Sequence, residues 1–147
     1  MNPNSVYLVQ TDTTVGFSSS NNEKLAEIKK RPISQKILRT VDSLQTLKKN
    51  TRVPNKYKKM VRKSKNTTFI YPNGESFRLI NRSSHFYDFI KKFNILYSSS
   101  ANETKKVFDY EYTYNASDIV VMDKNGFFES IPSRLYKVSK KRLKRLR

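Results

Sequence analysis

Residues 95–102 read Ile-Leu-Tyr-Ser-Ser-Ser-Ala-Asn, three residues suited to a strand followed by five small residues suited to a loop. That junction decides the fold. Ligands of open α/β sheets bind beyond the carboxyl ends of strands, and small residues there let backbone N–H groups approach a nucleotide or acyl group closely. As a bare run, the serines suit a plain linker equally well. The N-terminal region has the same design. Val6-Tyr7-Leu8-Val9 is a short apolar run, read as a buried strand, and Gln10 to Asn21 is polar and hydroxyl-rich, hence a loop.

Outward from these two junctions, strands and helices alternate. Asn22 caps a helix carrying Leu25 and Ile28, and Pro32 stops it. Ile37 to Val41 reads as a strand. Asp42 with Gln45 starts a second helix in the manner of a capping box, carrying Leu44 and Leu47. Pro54 suits the first turn of a third, with Tyr57, Met60 and Val61 on one face. Thr67–Tyr71 and Ser76–Asn81 flank Pro72-Asn73-Gly74 as a hairpin. Ser83 or Ser84 opens a helix with Phe86, Phe89, Ile90 and Phe93 on one side. Residues 103–116 fit either an irregular segment or a helix. Ile119–Met122, Phe127-Phe128 and Leu135–Val138 read as further strands, the first two joined at Lys124-Asn125-Gly126. The pattern predicts a single α/β domain over residues 1–138, with a twisted mixed β-sheet and flanking helices. Residues 139–147 carry only Leu143 and Leu146 as apolar residues and read as a basic tail, a frayed helix or free arm.

The 147 residues suffice for one core and not for two. Apolar residues make up 36%, a low share that nine Phe and nine Tyr offset by the area each buries. No apolar run approaches the length of a membrane span, and Met1–Ser5 lacks the pattern of a signal peptide, so the expected location is cytoplasmic. The absence of cysteine excludes disulfides and a thiolate nucleophile, and the single histidine, His85, argues against a polyhistidine zinc centre. The formal charge is +18, and it is clustered. No acid occurs between Asp42 and Glu75, an interval that holds Lys56, Lys58, Lys59, Arg62 and Lys63; a second block closes the chain with Lys140, Lys141 and Arg142. Such a field attracts polyanions, and these eight residues are the expected RNA contacts. Compositional drift toward lysine and asparagine is the plain alternative.

Three short motifs carry the chemistry. Thr11-Asp12-Thr13 follows the first strand as a polar turn or as hydroxyls for the head of an amino acid. Lys29-Lys30-Arg31-Pro32 ends a helix, where cations complement the helix dipole or clamp a phosphate or carboxylate. Ser98-Ser99-Ser100-Ala101-Asn102 is the third. Their order and spacing resemble the YrdC/YwlC family of threonylcarbamoyl-AMP synthases, which places a Thr-Asp-Thr-like segment, a Lys-x-Arg-Pro and a Ser-x-Ser-Ala-Asn loop in this sequence. Thr68-Phe69, Arg78 and Pro132-Ser133 are weaker matches, and the resemblance spans roughly residues 6–138. The chain departs from the family in having Lys65-Asn66-Thr67 for its Pro-Gly-Pro, Gly16-Phe17 for its Tyr-Gly-Leu, and no Ser-Gly after Asn102.

The resemblance implies a YrdC-like fold and a nucleotidyltransferase: an L-threonylcarbamoyladenylate synthase joining L-threonine, bicarbonate and ATP and serving threonylcarbamoyladenosine formation in tRNA. It implies threonine contacts from Thr11, Thr13 and Ser133. It implies ATP and acyl-phosphate contacts from Lys29, Arg31, Ser98, Ser100, Asn102 and Arg78. No residue is assigned as a catalytic acid, base or nucleophile, because positioning and charge neutralisation can carry such chemistry. ATP enters with magnesium as a substrate complex, with no tightly bound cofactor and no protein metal site. Other tRNA-modification proteins are possible partners; no membrane is expected. The competing class is a non-catalytic double-stranded RNA- or tRNA-binding protein of the same fold. A basic ribosome-associated protein would explain the charge but not the ordered motifs.

Overall fold

The computed structural model describes residues 1–147. Its strands are β1 (Tyr7–Gln10), β2 (Val15–Ser19), β3 (Arg39–Val41), β4 (Thr67–Ile70), β5 (Ser76–Leu79), β6 (Ile95–Ser100), β7 (Ile119–Val120), β8 (Arg134–Val138) and β9 (Leu143–Arg145). Its helices are α1 (Asn22–Ile28), α2 (Leu44–Asn50), α3 (Lys58–Lys63), α4 (Tyr87–Ile90) and α5 (Tyr110–Ala116), with one 3-10 turn at Asn55–Tyr57. The class is α/β with mixed strand pairing, as the sequence predicts. The residues group into two compact units, 1–37 with 96–131 and 38–95 with 132–147. No helix is long and apolar enough to cross a membrane.

In the first unit the strand order is β7-β1-β2-β6. β1 and β2 form an antiparallel hairpin around residues 11–14, β6 pairs antiparallel with β2, and β7 lies parallel to β1. Every residue of β1 and β2 is buried, the pattern of strands enclosed on both faces. Val6, Leu8, Val15, Phe17, Leu25 and Ile37 make the core. Asn21, not Asn22, caps α1: its side chain accepts from the Lys24 N–H. The helix stops at Lys29, ahead of Pro32, because Lys30 takes a left-handed φ of 50°.

Three expectations change in this unit. Ser98–Ser100 belong to β6, paired with Gly16–Ser18, so the loop begins at Ala101. Ladder bonds from β2 override the loop preference of serine. The segment 103–116 is irregular up to Asp109 and helical from Tyr110 to Ala116 as α5, capped by the Asp109 carboxylate on the Tyr112 N–H. Phe127-Phe128 is no strand and Lys124–Gly126 closes no hairpin. The Phe128 backbone instead accepts from the Val15 N–H at 3.1 Å and donates to Gln10 Oε1 at 2.9 Å.

In the second unit the order is β3-β5-β4-β8-β9. β3 lies parallel to β5 and β4 parallel to β8, while β4–β5 and β8–β9 are antiparallel. The β4–β5 hairpin forms where expected, with Gly74 at φ 78°. The core gathers Val41, Leu47, Val53, Tyr57, Phe69 and Phe77 with their neighbours. Tyr57 and Val61 point inward, whereas Met60 is 37% exposed and lies off the expected face. Ser43 caps α2 through the Thr46 N–H; Asp42 Oδ1 receives the hydroxyls of both, and this replaces the expected box with Gln45. The tail is neither a frayed helix nor a free arm. Residues 143–145 form β9 against β8, Leu143 packs on the core, and Arg147 Nε donates to the Ser133 carbonyl at 3.0 Å. The open edge of β8 presents backbone donors and acceptors, and a strand needs only alternate apolar positions to use them.

Candidate functional site

Lys29 organises the first unit. It is the residue after α1, and its side chain is 1% exposed. Its ammonium donates to the carbonyl of Ser100 at 2.8 Å, to the carbonyl of Asn102, and to Asn102 Oδ1 at 2.9 Å. Three donors therefore meet three acceptors, which is what keeps a buried lysine tolerable. Burial lowers its pKa to about 8, with a smaller contribution from the nearby positive charge of Arg31. The Lys29 N–H groups are taken up within the protein, where they hold the loop after β6.

Asn102 is equally committed. Its Oδ1 also accepts from Ser100 Oγ at 2.7 Å, and its Nδ2 donates to the Lys106 carbonyl. The loop is thus locked from three sides. Ser98 is buried within β6 and Ser100 is exposed at its end. Arg31 is half-buried and forms no ion pair with any carboxylate. Its guanidinium, next to a buried ammonium, makes this corner electropositive and leaves a planar donor fork for an anion.

The Thr11–Thr14 turn reaches the serine strand through β2. Thr11 Oγ1 donates to the Thr14 carbonyl at 2.6 Å, accepts from the Thr13 and Thr14 N–H groups, and lies 3.3 Å from Thr13 Oγ1. It is a self-closing hydroxyl turn, in which the Thr11 hydroxyl is spent on the backbone and Thr13 Oγ1 touches only Thr11. Gly16 pairs with Ser100 across the ladder. A Cβ there would sit 3.0 Å from both the Ser99 carbonyl and Thr11 Cγ2, so the absence of a side chain lets the turn and the serine strand pack together.

Sequence reading missed three supporting residues. Tyr112 OH donates to the Ile28 carbonyl at 2.6 Å and Thr104 Oγ1 to the Lys29 carbonyl at 2.7 Å, satisfying the last carbonyls of α1. Glu103 bridges Lys30 at 3.4 Å and Lys106 at 2.6 Å; hydrogen bonds from Lys106 and then Lys30 hold its carboxyl below the usual range. Their bonds to the end of α1 carry no local signature, since each reaches a group some seventy or more positions away.

Arg78 and Ser133 belong to the second unit. Ser133 Oγ lies 2.8 Å from Thr68 Oγ1, both buried, and Thr68 stands opposite Arg78 in the β4–β5 ladder. Arg147 reaches Ser133 from the end of the chain, a contact the reading of the tail as a free arm did not anticipate. Of the expected RNA contacts, Lys56, Lys58 and Lys140 border one groove. Arg62 borders another; Lys59, Lys63, Lys141 and Arg142 are exposed and border neither.

No family model matches the chain, and no curated protein matches it. Solved structures do. P. abyssi Sua5 complexed with L-threonine aligns at TM-score 0.79 and 13% identity, over 98% of this chain and 50% of that one. E. coli YciO aligns at TM-score 0.75 and 14% identity, over 98% of this chain and 82% of that one. Full-length HypF in its phosphate- and nucleotide-bound form aligns at TM-score 0.75 and 12% identity, over 98% and 27%. At such identities the likeness is one of fold: the chain has the Sua5/YrdC fold. It spans about half the length of the Sua5 chains it matches.

Proposed function

We propose that this chain, a YrdC-like domain by its fold, makes threonylcarbamoyl-AMP from L-threonine, bicarbonate and ATP, for threonylcarbamoyladenosine formation in tRNA in the cytoplasm. The observation that carries the reading is the Lys29 contact with Ser100 and Asn102, which ties the second and third motifs into one rigid, electropositive corner. The fold supports it too, because Sua5 is described with L-threonine and HypF with phosphate and nucleotide.

In this reading Arg31 neutralises phosphate or carboxylate charge, and the loop from Ser98 to Asn102, held rigid by Lys29, receives the nucleotide and acyl phosphate. Thr13 and the backbone of the Thr11 turn take threonine. The threonine amine adds to bicarbonate with loss of water, and the resulting carbamate oxygen bonds to the α-phosphorus of ATP as pyrophosphate leaves. Magnesium arrives on the ATP phosphates. Fixed donors and charge in place before reaction are the source of catalysis.

The test is pyrophosphate release by the purified chain, which must depend on ATP, bicarbonate and threonine together. Release that ignores threonine rejects the substrate assignment. No release, with no joint binding of threonine and ATP, leaves the non-catalytic RNA-binding reading of the same fold.

A further inference from the structure

We infer that the second unit carries an RNA-backbone groove that shares no residue with the Lys29–Asn102 site. The groove encloses about 980 Å³ and is lined by Lys48, Arg52, Lys56, Lys58 and Lys140, with no carboxylate among its lining residues. Four of these cations come from the end of α2 and the segment leading into α3. The fifth arrives from the β8–β9 turn, so folding gathers two basic blocks that the sequence keeps far apart.

The local chain explains why the cations face the groove. Val53 and Tyr57 are buried in the core at 4% and 8% exposure, which leaves their sequence neighbours Arg52, Lys56 and Lys58 turned outward. Lys56 Nζ lies 5.6 Å from the centre of the Tyr57 ring, which orients it. Pro54 and Pro72 stiffen the walls. Five like charges around one concavity repel one another and are concentrated rather than dispersed by low-dielectric walls. Nothing within the groove offsets that repulsion; a polyanion would.

Shape favours a nucleic acid strand over a membrane. A bilayer needs a flat or convex face with apolar residues that penetrate it. Here the cations line a recess, and a phosphodiester chain brings regularly spaced charges that can follow one. Asn55 lies in the same groove, exposed, and offers an amide donor and acceptor to a ribose 2′-hydroxyl, the group that distinguishes RNA from DNA. The occupant is therefore RNA, held through its backbone and largely without regard to sequence.

The test titrates the full chain with a fluorescent, unstructured RNA of about a dozen nucleotides. The variant is K56Q/K58Q/K140Q, and the control is K92Q/K105Q/K124Q, which removes equal charge from exposed positions elsewhere. Loss of three single-strand phosphate contacts makes the slope of log affinity against log salt shallower by about 2, and affinity falls about a hundredfold near 0.1 M salt. The control should change affinity severalfold at most, DNA of the same sequence should bind more weakly, and thermal melts should show both variants folded. Equal losses in both variants, or none in the groove variant, overturn the proposal. DNA bound as tightly as RNA overturns the RNA assignment. A groove variant that keeps RNA but loses binding to phosphatidylserine-containing vesicles makes the groove a membrane contact and overturns it too. Pyrophosphate release by the groove variant is read separately, so this proposal and the synthase reading can fail independently.

Discussion

The ammonium of Lys29 donates to the side-chain carbonyl of Asn102 at 2.9 Å across 73 positions of sequence. The contact joins the residue after α1 to the loop after β6 and fixes the strand end that carries the serines. Its energetic worth can be measured. Removing either partner leaves buried or half-buried polar groups without their bonds, at about 1–3 kcal/mol each. A cycle of Lys29→Met, Asn102→Ala and the double variant, followed by urea unfolding, should give a coupling energy of about 0.5–3 kcal/mol. Additive losses would mean that the pair does not stabilise the loop.

Lys29 also predicts a dependence of stability on pH. Burial, and then Arg31, lower its pKa from 10.5 to about 8 in the folded chain. Below pH 8 both folded and unfolded chains hold the proton, and the cost of burying the charge is present in full. Between about 8 and 10.5 the folded chain sheds a proton that the unfolded chain keeps, so stability rises with pH across that window. The rise is about 3 kcal/mol at most. Denaturation at pH 8, 9 and 10 should show wild type gaining on Lys29→Met, because the other lysines are common to both and cancel. A constant difference would place the Lys29 pKa near its ordinary value.

Gly16→Ala should be costly although glycine conformation is not at issue. The added methyl would stand 3.0 Å from the Ser99 carbonyl, a backbone atom that cannot rotate away. Overpacking of this kind costs about 1–3 kcal/mol. The measurement is the urea midpoint together with hydrogen exchange at Thr13 and Thr14, whose N–H groups bond Thr11 Oγ1. Unchanged exchange would show that the turn and β6 are not packed through Gly16.

Arg31→Ala should abolish pyrophosphate release while leaving the fold intact, since the side chain is half-buried and forms no ion pair. Arg31→Lys should restore only part of the activity, because a point charge cannot reproduce a planar donor fork. Full activity in Arg31→Ala would remove the residue from the site.

Deleting residues 139–147 should destabilise the second unit rather than trim a solvated arm. It removes β9, the Leu143 packing and the Arg147 bond to Ser133. Leu143→Ala alone should cost about 1–2 kcal/mol, below the range for a fully enclosed leucine because it is partly buried. Thermal unfolding of both variants is the check, and a truncated chain as stable as the full one would restore the free-arm reading.

Local patterns in the sequence specify much of this fold. Apolar runs mark β1 and β6, Pro72-Asn73-Gly74 marks the β4–β5 turn, and the basic interval from 43 to 74 is legible as an electrostatic feature from the order of its residues. These are decided by neighbours within a few residues: strand preference, turn geometry and linear charge. The order of the three motifs, and with it the fold, was also legible, because each motif sits at the end of an element whose type the local pattern sets. The tertiary structure decided what those patterns leave free. Whether Lys29 faces solvent or three acceptors of the Ser100–Asn102 segment depends on where β6 ends, 71 positions later. Whether residues 143–145 fray or pair depends on the open edge of β8, since so polar a stretch has little strand preference of its own. Phe127-Phe128 has that preference and makes no strand, because its backbone bonds go to Val15 and to the side chain of Gln10. In each case the deciding group lies far along the chain, and the hydrogen bond forms only once folding has closed the loop between them and excluded water from around it.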